Sequence, residues 1–320
     1  MTSQDMPDQS PSHRRKLALQ IMSIGWHLLL NSGSLVRFVR LLRLEAFTEI
    51  CQYNPRFAIK PFGHNYLARN IDARAGLGCF VHHYQRMYSS FPDRILKAIL
   101  YWDIPLYQTI EGEHSYSLNL GTSKPYDKEG ELSLLLKVDS FIIFDLTFTI
   151  IPGWAIGSDA VEAFLISRIQ GQRSYSQEIR LATKAMCNVR PRALLFAALQ
   201  GIALALGVGE ISAVGAKEQS SYCACSETSF QNSYDEFFTE LGLERNCAGF
   251  FSGRVPIAEK PLELVDPSNR RTARKKQTFK ALIQMACAKS ISQALGQTSG
   301  YSEQIVPSDS VNPILVASTS

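Results

Sequence analysis

Two carboxylates spaced two apart, Glu129 and Glu131, stand at the mouth of an apolar run, Leu132-Ser133-Leu134-Leu135-Leu136. Residues i and i+2 of a strand share a face, so this spacing would set the two acids side by side. Like charges held together raise one pKa, which turns a carboxylate into a usable general base. The structural alternative is a solvent-facing strand edge whose acids deter aggregation.

Further along, Gln170-Gly171-Gln172-Arg173-Ser174 joins a predicted strand to a predicted helix. Glycine lets a backbone approach a ligand, and the free amides of a helix N-terminus favour phosphate. Lys184 and Arg190 add cations after the loop. Lys184 falls late on its helix, where the macrodipole is sufficient explanation. Pro191 holds Arg190 extended ahead of an apolar helix, within reach of an anion. Tyr234 and Asp235 precede Phe237 and Phe238, and Tyr234 is the candidate proton donor. His83 is the candidate histidine. It adjoins His82, and neighbours on a helix point about 100° apart, so the two do not share a metal; one should face the core and the other a cleft. Cofactor binding is therefore assigned to Gln170, Gly171, Arg173, Lys184 and Arg190, with no metal site.

Other catalytic grammar is missing. There is no Gly-x-Ser-x-Gly elbow, P-loop, Rossmann glycine set or paired-histidine zinc motif. Of seven cysteines only Cys223 and Cys225 are close. They read as an exposed thiol pair, no disulfide framework is visible, and a reduced cytoplasmic setting follows.

These residues need a scaffold, and the pattern supplies one. Residues 1–12 read as disordered and 13–110 as a helical region, with helices at 15–30, 34–51 and 74–100, the last broken at Phe91-Pro92. Residues 111–265 read as an α+β core. Its strands fall at 115–121, 131–138, 141–151, 163–169, 210–215 and 248–251, and Asp139-Ser140 signals a hairpin. Helices are predicted over 175–186, from Pro191 to Gly207, and over 234–241 behind a capping box opened by Ser233. A basic helix fills 266–290 and a disordered tail 291–320.

The chain has 320 residues, 45% hydrophobic and 19% charged, with net charge +4. That suits a soluble globular protein and does not make a nucleic-acid binder. The run 17–30 mimics a signal peptide but contains Gln20 and His27 and lacks a small-residue cleavage site. The apolar run 193–208 is shorter than the roughly 20 residues a bilayer needs, so no transmembrane segment is expected. Arg37, Arg40 and Arg43 recur every three residues, either as a solvated face or as a basic surface for anionic lipid or RNA.

The order of strands, loop, helix, strand, short helix and strand is similar to acyl-CoA-dependent transferases of the GNAT type, in which a loop at the Gln170-Gly171 position cradles pyrophosphate. Two departures are plain: the loop lacks the second glycine, and two helices rather than one follow it. The chain also resembles the VirK/YbjX-like family of bacterial proteins. The resemblance covers about 54–281 and rests on His83-Tyr84, Glu129-Gly130-Glu131-Leu132, Ile169-Gln170-Gly171, Thr183-Lys184, Arg190-Pro191, Tyr234-Asp235 with Phe238 and Leu241-Gly242, and Arg270-Arg271 with Arg274. It implies links to virulence, antimicrobial-peptide resistance and stress or DNA-damage responses. In such proteins a histidine is expected after the strand at 210–215, where this chain reads Lys217-Glu218-Gln219.

The expectation is an α+β fold with a mostly antiparallel, GNAT-like sheet, a helical N-terminal half and a basic C-terminal helix. Its activity would be acyl or aminoacyl transfer from acyl-CoA or another phosphate-bearing donor. The alternatives are a non-enzymatic accessory protein docking on membrane, nucleic acid or protein through basic helices, and a degenerate enzyme retained as a binder.

Overall fold

The computed structural model describes residues 32–53, 56–123, 128–224, 231 and 234–296. The expected helix at 15–30, the residues before it and the tail beyond 296 lie outside them, as does Ser233 of the capping box.

Apolar alternation in the middle of the chain builds one sheet. Among the described residues its strands are β1 (Asp103–Glu111), β2 (His114–Thr122), β3 (Leu132–Val138), β4 (Phe141–Pro152), β5 (Glu162–Gly171), β6 (Glu210–Val214), β7 (Glu244–Arg245) and β8 (Phe250–Arg254). They lie in the order β1-β2-β3-β4-β5-β6-β8-β7. Every pairing is antiparallel except β5 with β6. The fold is α+β with a mixed, mostly antiparallel sheet.

The β3–β4 hairpin turns on Asp139 and Ser140, with φ of 47° and 74°. That left-handed pair matches the twist of the strands it joins. Asp139 tolerates it because its carboxylate is engaged locally, accepting from the Ser115 amide at 2.8 Å and lying 2.6 Å from His114 Nδ1. The ladder pairs Leu134 with Leu146 and Leu132 with Phe148 on one face, and Ser133 with Thr147 and Leu135 with Asp145 on the other. The central strands are therefore apolar on one side and partly polar on the other.

Among the described residues the helices include α1 (Ser32–Leu42), α2 (Glu45–Tyr53), α3 (Arg56–Ile59), α4 (Ala73–Ser90), α5 (Asp93–Tyr101), α6 (Ser176–Ala185), α7 (Pro191–Leu206), α8 (Asp235–Glu240) and α9 (Arg270–Ala294). Asp72 caps α4 by accepting from the Ala75 amide at 2.7 Å. The parallel step from β5 to β6 requires a crossover, which α6 and α7 provide. Helix α7 is apolar on nearly every side and packs between the sheet and α9. Each fully buried Leu there, such as Leu194, Leu195 and Leu199, contributes about 1.5–3 kcal/mol.

Four expectations are corrected. The helix over 34–51 breaks at Arg43-Leu44 into α1 and α2. Strand β1 falls inside the region read as helical to 110. It is a sheet edge with Leu106 its buried residue, so it lacks the strong alternation of an inner strand, and its open side tolerates Pro105. Strand β5 runs on through Gln170 and Gly171, which belong to the ladder rather than to a loop. Cys223 is disulfide-bonded, its partner lying outside the described residues.

Candidate functional site

The approach to β3 passes through Gly130, whose φ is 154°, and a Cβ there would lie 2.5 Å from Thr147 Cγ2. This kink sends the two acids to different partners. Glu131 is 1% exposed. Its carboxylate accepts from the hydroxyls of Tyr66 and Tyr84, each at 2.5 Å, and pairs with Lys60 Nζ at 3.1 Å. The Lys60 ammonium also donates to Gly130 O at 2.5 Å and Ser123 Oγ at 3.3 Å. Burial, and then the Glu131 charge, hold both tyrosines well above the ordinary phenol range. This is a closed, satisfied ion cage tying the turn at Lys60 and helix α4 to the sheet.

His83 is fully buried beside it. Its Nδ1 accepts from the Ile150 amide at 3.1 Å, satisfying β4 where β3 no longer runs alongside. Burial, then the charges of Lys60 and His82, push its pKa well below the usual imidazole value, so it is neutral. Nε2 has no partner among the described residues. His82 looks outward, 3.2 Å from Glu162, which Arg86 also holds at 3.0 Å.

Glu129 takes part in a different cluster. Its carboxylate lies 3.6 Å from Arg168 Nε, and Asp145 Oδ2 lies 3.7 Å from the same nitrogen. Arg168 Nε also donates to Gln170 Oε1 at 3.3 Å. The side chain of Glu129 is 13% exposed and that of Arg168 20%, so solvent reaches this cluster and not the cage. Tyr234 closes one side, hydrogen-bonded to the backbone of Ile169. Its pKa is pushed up to about 12, mainly by burial and next by Glu129.

The strand geometry here is irregular. Thr147 pairs with Arg168 but Phe148 with Ile166, so Ser167 is an extra residue bulging from β5. Ser167 is fully buried, and its hydroxyl has no hydrogen-bond partner among the described residues. The parallel pairing of β5 with β6 spans Phe164–Ile166 against Ile211–Ala213, and β5 then continues to Gly171 without it. The bulge, the end of the parallel pairing and the charged cluster coincide.

The expected phosphate loop is less open. A Cβ on Gly171 would lie 2.9 Å from the Phe144 ring and 3.2 Å from Ile179, so the glycine makes room for packing. The Gln172 amide donates to Ile143 O at 2.9 Å. Arg173, Lys184 and Arg190 are exposed and make no ion pair with a described residue. The position after β6 where a histidine was expected holds a structural turn: Glu218 accepts from Arg245 at 3.0 Å, and Gln219 Nε2 donates to Val214 O at 2.8 Å.

Asp145 and Arg168 were missed in the sequence. Their signal was charge inside strongly apolar strands, in Phe144-Asp145-Leu146 and Ser167-Arg168-Ile169, where a charge needs a partner. Among the described residues no group of three or more His, Cys, Asp or Glu is placed to hold a metal, and no helix is long and apolar enough to cross a membrane.

A family model described as "Protein of unknown function (DUF535)" matches residues 17–288. The chain belongs to this family. A search of the curated proteins and of the solved structures found no match. The DUF535 match spans the cage, the cluster and most of α9, so all three sit within the part of the chain the family defines.

Proposed function

We propose that this DUF535 protein is an acyltransferase of GNAT-like organisation, working at the Glu129–Arg168–Tyr234 cluster. The observation that carries the reading is the bulge at Ser167 beside a parallel strand pair whose pairing ends there. The end of that pairing beside the bulge is, in this reading, where a donor's thioester carbonyl is bound and polarised. Support also comes from the strand order, in which the single parallel pair is followed by β8 and then β7.

In this reading Glu129 takes a proton from the acceptor amine while Arg168 holds its carboxylate in place. Tyr234 acts as a hydrogen-bond donor to the departing thiolate: with a pKa of about 12 it keeps its proton at neutral pH. Arg173, Lys184 and Arg190 are the cations available to the donor's phosphates. Gln170 orients Arg168, and Gly171 leaves room for the Phe144 ring beside it. Glu131 and His83 support the scaffold, because burial leaves them no substrate to touch. The links of VirK/YbjX-like proteins to stress responses and virulence would place the transfer in the bacterial envelope response.

Calorimetric titration with acyl-CoA tests the reading. Binding that weakens about tenfold in Arg190→Ala supports it. No heat at millimolar donor ends the acyl-CoA version.

A further inference from the structure

Helix α9 runs for 25 residues and contains no acidic residue. One side is core: Ile283, Cys287 and Ile291 are fully buried, the helix packs along α7, and Ser290 Oγ donates to Leu106 O of β1 at 2.8 Å. Its orientation on the body is therefore fixed. At 100° per residue, Arg271, Arg274, Lys275, Leu282, Met285 and Lys289 fall within about 100° of one another on the opposite side.

All six are exposed, Met285 by 65% and Leu282 by 39%. The four cations of the stripe make no ion pair with a described residue. Two cations off the stripe are used internally: Lys280 pairs with Glu259, and Arg270 donates to Val265 O and Glu263 O. The rigid helix thus shows solvent a line about 27 Å long, basic at its first turns, apolar near Met285 and basic again at Lys289.

We infer that this stripe of α9 seats the protein on an anionic lipid surface. The cations alone would suit any phosphate polymer. The two apolar side chains decide the partner, because a nucleic-acid backbone offers them nothing to bury in, whereas the headgroup boundary of a bilayer takes both features at once. The basic side chains reach up to lipid phosphates while Leu282 and Met285 enter the acyl boundary. The contact is shallow and reversible. It is independent of the transfer reaction and holds whether or not the protein binds acyl-CoA.

The test is flotation of the full-length chain with vesicles of phosphatidylcholine alone or mixed with phosphatidylglycerol, with single-stranded RNA in a parallel arm. Binding should need the anionic lipid and be released by salt. The double variant L282D/M285D should weaken it about tenfold or more, and R271E/R274E/K275E about a hundredfold. Both substitutions lie on the exposed face, so melting temperature should hold and exclude misfolding. A Met285→Trp probe should shift its emission to the blue on anionic vesicles. Failure to float with anionic vesicles, equal binding to neutral ones, or full binding by L282D/M285D would overturn the inference. RNA binding indifferent to Leu282 and Met285, without vesicle binding, would make the stripe a nucleic-acid surface instead.

Discussion

Glu129 Oε2 lies 3.6 Å from Arg168 Nε across a bulge, and Asp145 converges on the same guanidinium from β4. One cation between two acids fixes both carboxylates, Asp145 buried and Glu129 still reached by water. Glu129→Gln keeps the shape and removes the base, so turnover should fall about 10²–10⁴-fold while acyl-CoA affinity stays within about twofold. Steady-state kinetics beside calorimetry measure this. Equal loss of affinity and rate would mean that Glu129 binds substrate and takes no proton.

The cage makes a contrasting prediction, on stability alone. Lys60→Met strands a buried Glu131 carboxylate and should cost about 3–5 kcal/mol; Tyr66→Phe or Tyr84→Phe should each cost about 1.5–3 kcal/mol. Denaturant unfolding reads both. A Lys60→Met protein as stable as the parent would show that the Lys60–Glu131 ion pair does not hold the cage together.

His83 gives stability a pH dependence of definite sign. Its folded pKa is depressed, so below the ordinary imidazole value of about 6.5 the unfolded chain binds a proton that the folded one refuses. This contribution is intact above pH 6.5 and declines as pH falls, by about 1.4 kcal/mol per unit, until the folded pKa is reached. The parent should therefore lose stability more steeply below pH 6 than His83→Asn does, whatever the absolute cost of that substitution. Parallel slopes in the two proteins would mean that His83 is charged or open to solvent.

The difference between cage and cluster explains what could be read beforehand. Asp139-Ser140 was legible as a hairpin because turn chemistry is local. The separation of His82 from His83 was legible because helix geometry fixes it. The partners of Glu131 were not: Tyr84 and Tyr66 lie 47 and 65 residues away in sequence, and only the fold brings them together. The kink at Gly130 likewise overrode the two-residue period that would have set Glu129 beside Glu131.

Gly171 is the position where packing and ligand binding make opposite forecasts. Its absent side chain gives room to Phe144 and Ile179. Gly171→Val should cost about 1–3 kcal/mol of stability. In the companion variant Gly171→Val/Phe144→Ala, which empties the clash, acyl-CoA affinity should return to within about threefold of the parent. A glycine needed for close approach to phosphate would leave affinity lost in both.

Tyr234 offers the sharpest separation of chemistry from architecture. Its ring is buried just ahead of α8 against Phe238, which Phe preserves, and the hydroxyl's backbone bond to Ile169 is worth about 1 kcal/mol. Tyr234→Phe should therefore fold and bind donor normally. If the phenol steadies the leaving thiolate, kcat should drop about 10–100-fold with KM unchanged. The loss should shrink for donors whose thiol leaves more easily, since a good leaving group needs less help. With a pKa of about 12, Tyr234 should also leave the rate of the parent flat between pH 8 and pH 10, with no descending limb from phenol ionisation. A rate equally depressed for good and poor leaving groups would assign the hydroxyl to holding β5 in place and return the proton to solvent.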